Sequence, residues 1–285
     1  MKKVYACIDG LTTTTAVIDW AAWSARRLDV PLELLHVLER DPDMAAVTDF
    51  SGAIGLGAQE TLLNQLSDLD AQRGRLAQEA GRQVLARAQE RALSAGVPQV
   101  DVRMRHGELV DTVLAMEPEA RLFVLGERQR AGMSGRLHLD HHVERVVRAA
   151  KCPVLVATTE EFSEPRHFAI ADDGSATATR MIETVARSPL LAGLPCTLVR
   201  CGQDNTEARR SLEKSRQILQ AAGFEAEAAL LPGEAHEVIP DWLAAQGPSL
   251  LVMGAYGHSR IRHLVVGSTT TTLLRLSPCP VLVLR

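Results

Sequence analysis

The sequence predicts an α/β fold written twice in tandem, each copy a parallel sheet with helices on both faces. Three observations carry that prediction. The chain of 285 residues fits two domains of roughly 100–200 residues each. Short apolar runs alternate with helical patterns, the signature of a parallel sheet buried on both sides. The third is self-similarity, which decides architecture before any local reading.

The copies align at three places. Lys151-Cys-Pro-Val-Leu-Val-Ala157 is answered by Pro278-Cys-Pro-Val-Leu-Val-Leu284, a shift of 127. Arg121-Leu-Phe-Val-Leu-Gly126 is answered by Ser249-Leu-Leu-Val-Met-Gly254, a shift of 128. Asp29-Val-Pro-Leu-Glu-Leu-Leu-His36 is answered by Gly193-Leu-Pro-Cys-Thr-Leu-Val-Arg200, a shift of 164. The offset falls from 164 to 127, so the first copy holds about 37 extra residues, mostly at 39–72. That insertion, with Ser51-Gly-Ala-Ile-Gly-Leu-Gly57, reads as a loop followed by helix. Gly55 and Gly57 lack the third glycine of a dinucleotide loop and read as a flexible lid or disordered loop.

Each copy reads β-α-β-α-β-α-β-α-β. First-copy strands are expected near 4–8, 32–37, 99–105, 122–125 and 154–157, with helices near 15–28, 76–95, 109–116 and 142–150. Leu76, Val84, Leu85 and Leu93 form a partial apolar stripe in the second helix. Second-copy strands are expected near 168–171, 196–201, 225–231, 250–253 and 281–284, with helices near 177–188, 207–222, 235–246 and 269–276. The domains span 1–158 and 165–285, joined by a short linker.

Net charge is −4, which argues against a broad nucleic-acid footprint. Aromatics make up 4% of the chain, so Val, Leu, Ile and Ala must build the cores. The five cysteines show no CxxC and no zinc-ligand spacing, and read as small buried hydrophobes in a reducing compartment. Only Cys201 falls near a candidate ligand site. The N-terminus passes straight into a strand without a signal-peptide pattern, and no run of ~20 apolar residues reads as a membrane span. A cytoplasmic location is therefore expected.

The segment with the most chemistry follows Met253. It reads Gly254-Ala-Tyr-Gly257-His-Ser-Arg-Ile-Arg-His-Leu-Val-Val-Gly267-Ser268-Thr269. It runs from a strand's carboxyl end to a helix start, where open parallel sheets bind ligands. Glycines admit close approach of an anion, and the helix's first amides and dipole favour phosphate. Ser268 or Thr269 could cap the helix or bond a phosphate oxygen. His258, Arg260, Arg262 and His263 add cationic character between the glycines. The bland alternative is a tight turn before a capped helix. No Walker A motif and no complete GxGxxG is present.

This glycine spacing resembles the ATP-binding signature of the universal stress protein family. So do Asp9-Gly10 and Asp173-Gly174-Ser175 after each first strand, Leu35-His36-Val37 on strand two, and the closing Cys-Pro-Val-Leu-Val. The resemblance covers essentially the whole chain, as a tandem two-domain member. It implies Rossmann-like domains of the adenine nucleotide alpha hydrolase type, each a five-stranded parallel sheet of order 3-2-1-4-5 between helices. It also implies a cofactor: ATP, ADP or AMP, with Mg²⁺ as an option. Carried onto the second copy, Asp173 and Cys201 (in the position of Val37) should meet adenine. Gly254, Gly257, His258, Gly267, Ser268 and Thr269 should take ribose and phosphates. Asp172 is a rival to Asp173, and Asp173 has an alternative role as a turn or cap residue.

The copies depart from the pattern in different ways. The second has Arg200 in place of His36, and Thr271-Thr272 where the family often carries a charged pair. The first reads Asp140-His141 where the second has Gly267-Ser268, which puts a carboxylate where a phosphate would lie. Like charges at ~4 Å repel even when screened, so the first copy is expected not to bind ATP in the usual way. Glu144 and Arg145 read as surface residues. His138, His141 and His142 suggest a metal, but neighbours in sequence point apart on a helix, so they read as solvated loop and cap residues.

The leading functional expectation is a stress-response protein whose second domain binds an adenine nucleotide and responds to it. The alternatives are slow ATP hydrolysis or phosphotransfer, for which no Mg²⁺ carboxylate or base is evident, and a nucleotide-independent scaffold. In the scaffold reading the two copies pack as a pseudo-dimer through apolar edge strands, and a homodimer remains open. No dedicated catalytic or metal residue, no nucleic acid and no membrane partner is expected.

Overall fold

A computed structural model describes residues 1–39, 56–127, 140–255 and 268–285; for 56–63 and Ser268 it describes backbone alone. The first unit runs β1 (Lys3–Cys7), α1 (Thr14–Leu28), β2 (Leu32–Leu38), α2 (Leu56–Ser94), β3 (Val100–His106), α3 (Leu109–Met116), β4 (Ala120–Gly126), α4 (His141–Ala149) and β5 (Val154–Ala157). The second runs β6 (His167–Ala171), α5 (Ala176–Arg187), β7 (Cys196–Cys201), α6 (Thr206–Ala221), β8 (Ala226–Leu231), α7 (Ala235–Ala244), β9 (Ser249–Gly254), α8 (Ser268–Leu276) and β10 (Val281–Leu284).

All ten strands form one sheet, ordered β3-β2-β1-β4-β5-β10-β9-β6-β7-β8. Each set of five has the expected order 3-2-1-4-5, and every pairing within a set is parallel. The seam between β5 and β10 is antiparallel. Leu155 faces Leu282, its own equivalent at the 127 shift, while Val154 faces Val283 and Val156 faces Val281. Such self-complementary pairing is what a local two-fold axis produces between equal edges. It also turns the carboxyl ends of the two strand sets toward opposite edges of the sheet.

Strands bury both faces. On β1, Val4 and Ala6 enter one core while Tyr5 and Cys7 enter the other. The first core takes α1, α2, α5 and α6; the second takes α3, α4, α7 and α8. Trp20 and Trp23 of α1 meet edge to face at 5.3 Å, and Phe162 from the linker packs on Trp20 at 4.8 Å. Arg27 donates from Nε to Leu190 O at 2.6 Å, tying α1 to the second unit. Among the described residues, no helix is long and apolar enough to cross a membrane.

Two details of the insertion differ from expectation. Helix α2 starts at Leu56, so Gly57 lies in its first turn rather than in a loop; Gly55 is outside the described residues. The buried stripe of α2 is Gly81, Leu85, Ala88 and Ala92, whereas Leu76 and Leu93 are exposed. Small residues win those positions because the helix lies close on the sheet: a Cβ on Gly81 would come within 2.9 Å of His36 Cδ2 and Met104 Cε.

The seam makes a measurable prediction. Leu155 and Leu282 are essentially inaccessible, so truncating either to Ala should cost about 2–5 kcal/mol in urea unfolding. Because they face each other, the double variant should cost less or more than the sum by about 0.5–3 kcal/mol. Strict additivity would mean that the strands are not neighbours.

Candidate functional site

Each unit's first strand ends in the same turn. In the first, Asp9 Oδ1 accepts from Leu11 N and Thr14 Oγ1, both at 2.9 Å, ahead of α1. In the second, Asp173 Oδ1 accepts from Ser175 N at 2.9 Å, and Ser175 Oγ caps α5 by accepting from Ala178 N at 3.1 Å. The turns align through the sheet: Ile8 N bonds Leu35 O and Asp172 N bonds Val199 O, each at 2.9 Å. Asp173 is thus the equivalent of Asp9, and its rival Asp172 replaces Ile8. Asp173 is exposed, and Asp172 is buried.

Asp172 has a structural partner. Arg200 Nη2 lies 3.1 Å from Asp172 Oδ2, and Gly174 N donates to Asp172 Oδ1 at 2.8 Å. Arg200 Nε also donates to Asp172 O at 3.1 Å, Nη1 donates to Ala208 O, and Nη2 donates to Ser211 Oγ as well. In the first unit His36 Nδ1 donates to Ile8 O at 2.8 Å. The two side chains therefore brace one carbonyl at equivalent places. Both are buried, so the exchange of His for Arg belongs to the wall of the site.

Cys201 ends β7 half-buried, and burial, with Glu234 nearby, pushes its thiol up from the ordinary value. It is a neutral wall residue rather than a nucleophile. All five cysteines are free, with Cys7, Cys196 and Cys279 buried and Cys152 and Cys201 half-buried.

The glycines that end β4 and β9 differ in what surrounds them. A Cβ on Gly126 would lie 2.2 Å from Thr13 Oγ1 and 2.9 Å from Val17 Cγ2, so packing of α1 demands glycine. A Cβ on Gly254 would meet Thr177 Cγ2 at 3.6 Å, an ordinary contact. Packing among the described residues therefore does not explain Gly254.

Helix starts differ as well. Helices α4 and α8 both have nine residues and stand 127 apart. Asp140 caps α4, accepting at Oδ1 from His142 N at 2.7 Å and Val143 N at 3.4 Å. A carboxylate of the chain thus accepts the first amides of this helix. Helix α8 opens on Ser268, with Thr269 exposed behind it. Gly257, His258 and Gly267, with Arg260, Arg262 and His263, lie outside the described residues, as does His138.

The first unit keeps a pocket of about 30 Å³ beyond β1 and β4, lined by Asp9, Thr13, Glu39, Gly126, Asp140 and His142 among others. That is room for small occupants such as water or an ion, and three carboxylates surround it. Glu39 had no sequence signal; it accepts at Oε1 from Leu109 N at 2.8 Å, which holds it at the rim. The expectation that His141 and His142 point apart is corrected: their ring centroids are 4.0 Å apart. The helix opens at His141, so no preceding turn separates the rings. Glu144 and Arg145 lie at the surface as expected, Glu144 paired with Arg148 at 2.6 Å.

These features define a class: a doubly wound α/β protein, with a pocket of its first unit beyond the strand ends and beside a helix start. The family model described as the Universal stress protein family matches residues 1–158 and again 165–285. The chain belongs to that family. Universal stress protein Slr1230 of Synechocystis sp. is 36% identical over the full length of both chains. Universal stress protein MJ0577 of Methanocaldococcus jannaschii is 28% identical over 79 residues, 28% of this chain and 49% of that one. The crystal structure of a universal stress protein from Archaeoglobus fulgidus superposes with a TM-score of 0.70 at 17% identity, covering 99% of this chain and 96% of that one.

Two sets of substitutions test this geometry. Arg200→Ala strands the buried Asp172 and should cost about 3–5 kcal/mol in chemical unfolding. Asp172→Ile with Arg200→His rebuilds the first unit's arrangement and should recover most of that loss. In the same assay, Gly126→Ala should cost about 1–3 kcal/mol through overpacking, while Gly254→Ala should stay within about 0.5 kcal/mol. Equal losses at the two glycines would contradict the packing described.

Proposed function

We propose that the second unit binds an adenine nucleotide, ATP or its close relatives ADP and AMP, and that occupancy regulates what the protein engages. Adenine sits against Asp173 and Cys201 at the ends of β6 and β7. Ribose and phosphates follow Gly254, Gly257 and His258 to Gly267, Ser268 and Thr269, and Mg²⁺ can accompany the phosphates.

The observation that carries the reading is the cap of α4. There a carboxylate of the chain itself, Asp140, takes the first amides of the helix. At the equivalent place before α8 the sequence has Gly267, with no side chain to do so. A helix start without its own anion is suited to an external one. Gly254, which packing among the described residues does not require, supports the same reading.

On this view the first unit acts as a structural partner, and the two units form an intramolecular pseudo-dimer across β5 and β10 in the cytoplasm. Nucleotide shifts the protein between states only through its difference in affinity for them.

Mass analysis of the protein as purified should detect one adenine nucleotide per chain, and Gly267→Asp should abolish it. Added ATP at about 100 times its Kd should stabilise the nucleotide-free protein by about 2.7 kcal/mol. An unchanged melting temperature, together with equal adenylate retention by Gly267→Asp, would overturn the reading.

A further inference from the structure

We propose that an apolar hollow on the seam between the units is a binding site for a short-chain aliphatic carboxylate. The hollow measures about 50 Å³ and lies between the ends of α1 and α5, the turn at Pro189–Leu191 and strands β4 and β10. Its buried wall is Leu122, Val185, Leu190, Leu191, Leu282 and Leu284. All six belong to the core that takes α1 and α5, on the sheet face opposite α8. The inference therefore stands apart from the nucleotide reading.

The repeat shows that the fold does not require this hollow. Thr13 and Val17 approach Gly126 as Thr177 and Met181 approach Gly254, which sets α1 and α5 in register at a shift of 164. Thr184, which lines the hollow, is thereby the equivalent of Trp20. On its own flank Trp20 is 1% exposed, and Phe162 of the linker packs on it at 4.8 Å. Thr184 is exposed and brings far less bulk to the other flank.

Size, lining and charge select the ligand. An apolar cavity of ~150 Å³ takes a benzene ring, so one a third as large takes a group of roughly three or four carbons. The polar side chains of the lining are Arg121, Thr184 and Ser188. Thr184 Oγ1 already donates to Arg180 O at 2.8 Å. Ser188 Oγ accepts from Leu190 N at 3.3 Å, and a hydroxyl that accepts can still donate. Arg121 is exposed and has no ion pair among the described residues. A cation and a hydroxyl donor thus border an apolar wall, and no carboxylate stands in the lining. An alkyl tail with a carboxylate head matches both parts.

The test titrates butanoate into the full chain with isotope-labelled Leu and Val methyls. Methyl shifts of Leu122, Val185, Leu190 and Leu282 should saturate together. From acetate through propanoate to butanoate, affinity should rise about fourfold per methylene. Arg121→Gln should weaken butanoate about two- to fivefold and leave n-butanol unchanged. Thr184→Trp, which gives this flank the residue of the other, should abolish saturation, with melting temperature verifying that the variant folds. Shifts that do not saturate, butanoate affinity unmoved by both variants, or butylammonium bound as tightly as butanoate would overturn the proposal and mark the hollow as a packing defect.

Discussion

The molecule depends on how its two short terminal strands are covered. β5 and β10 are four residues each and buried throughout. An apolar strand with an open row of backbone donors and acceptors is a template for unwanted pairing. Duplication resolves this by giving each edge its own copy as partner, with Leu155 opposite Leu282 at the centre. Because the seam is antiparallel, the carboxyl ends of the two strand sets point in opposite directions.

One point of divergence is the helix that follows the fourth strand of each unit. A helix start presents unsatisfied amides that need an acceptor. In the first unit the acceptor is covalent, Asp140, and it lines a pocket together with Asp9 and Glu39. At the equivalent position the second unit's sequence has Gly267, which carries no side chain to cap α8, while strand order stays the same.

Much of this was legible because repeats expose equivalence. The strand runs and the Asp140 substitution follow from comparing the halves, and the strand order was implied by the family resemblance. What could not be read depends on contacts distant in sequence. The start of α2 at Leu56 has no cap signal to mark it, and its buried stripe uses Gly81, Ala88 and Ala92 rather than the larger residues that a periodicity reading favours. Glu39 sits at the edge of an insertion with no motif, and only the fold brings it to His142. The nearness of His141 and His142 escaped the helical-wheel argument because that argument assumes an interior turn.

Arg200 shows how the alignment itself needed physical correction. Matched to His36, it looks like a lost ligand contact. The hydrogen bonds show instead that both residues hold the carbonyl at the end of the first strand. The larger cation is tolerated because Asp172, in place of Ile8, supplies its counter-charge. A buried Arg without that carboxylate would be costly, and a buried Asp without the Arg equally so. The two positions therefore change together or not at all. It follows that Asp173, one residue further on and exposed, is the carboxylate left facing outward at the strand end, and that variation behind it adjusts the scaffold rather than the ligand.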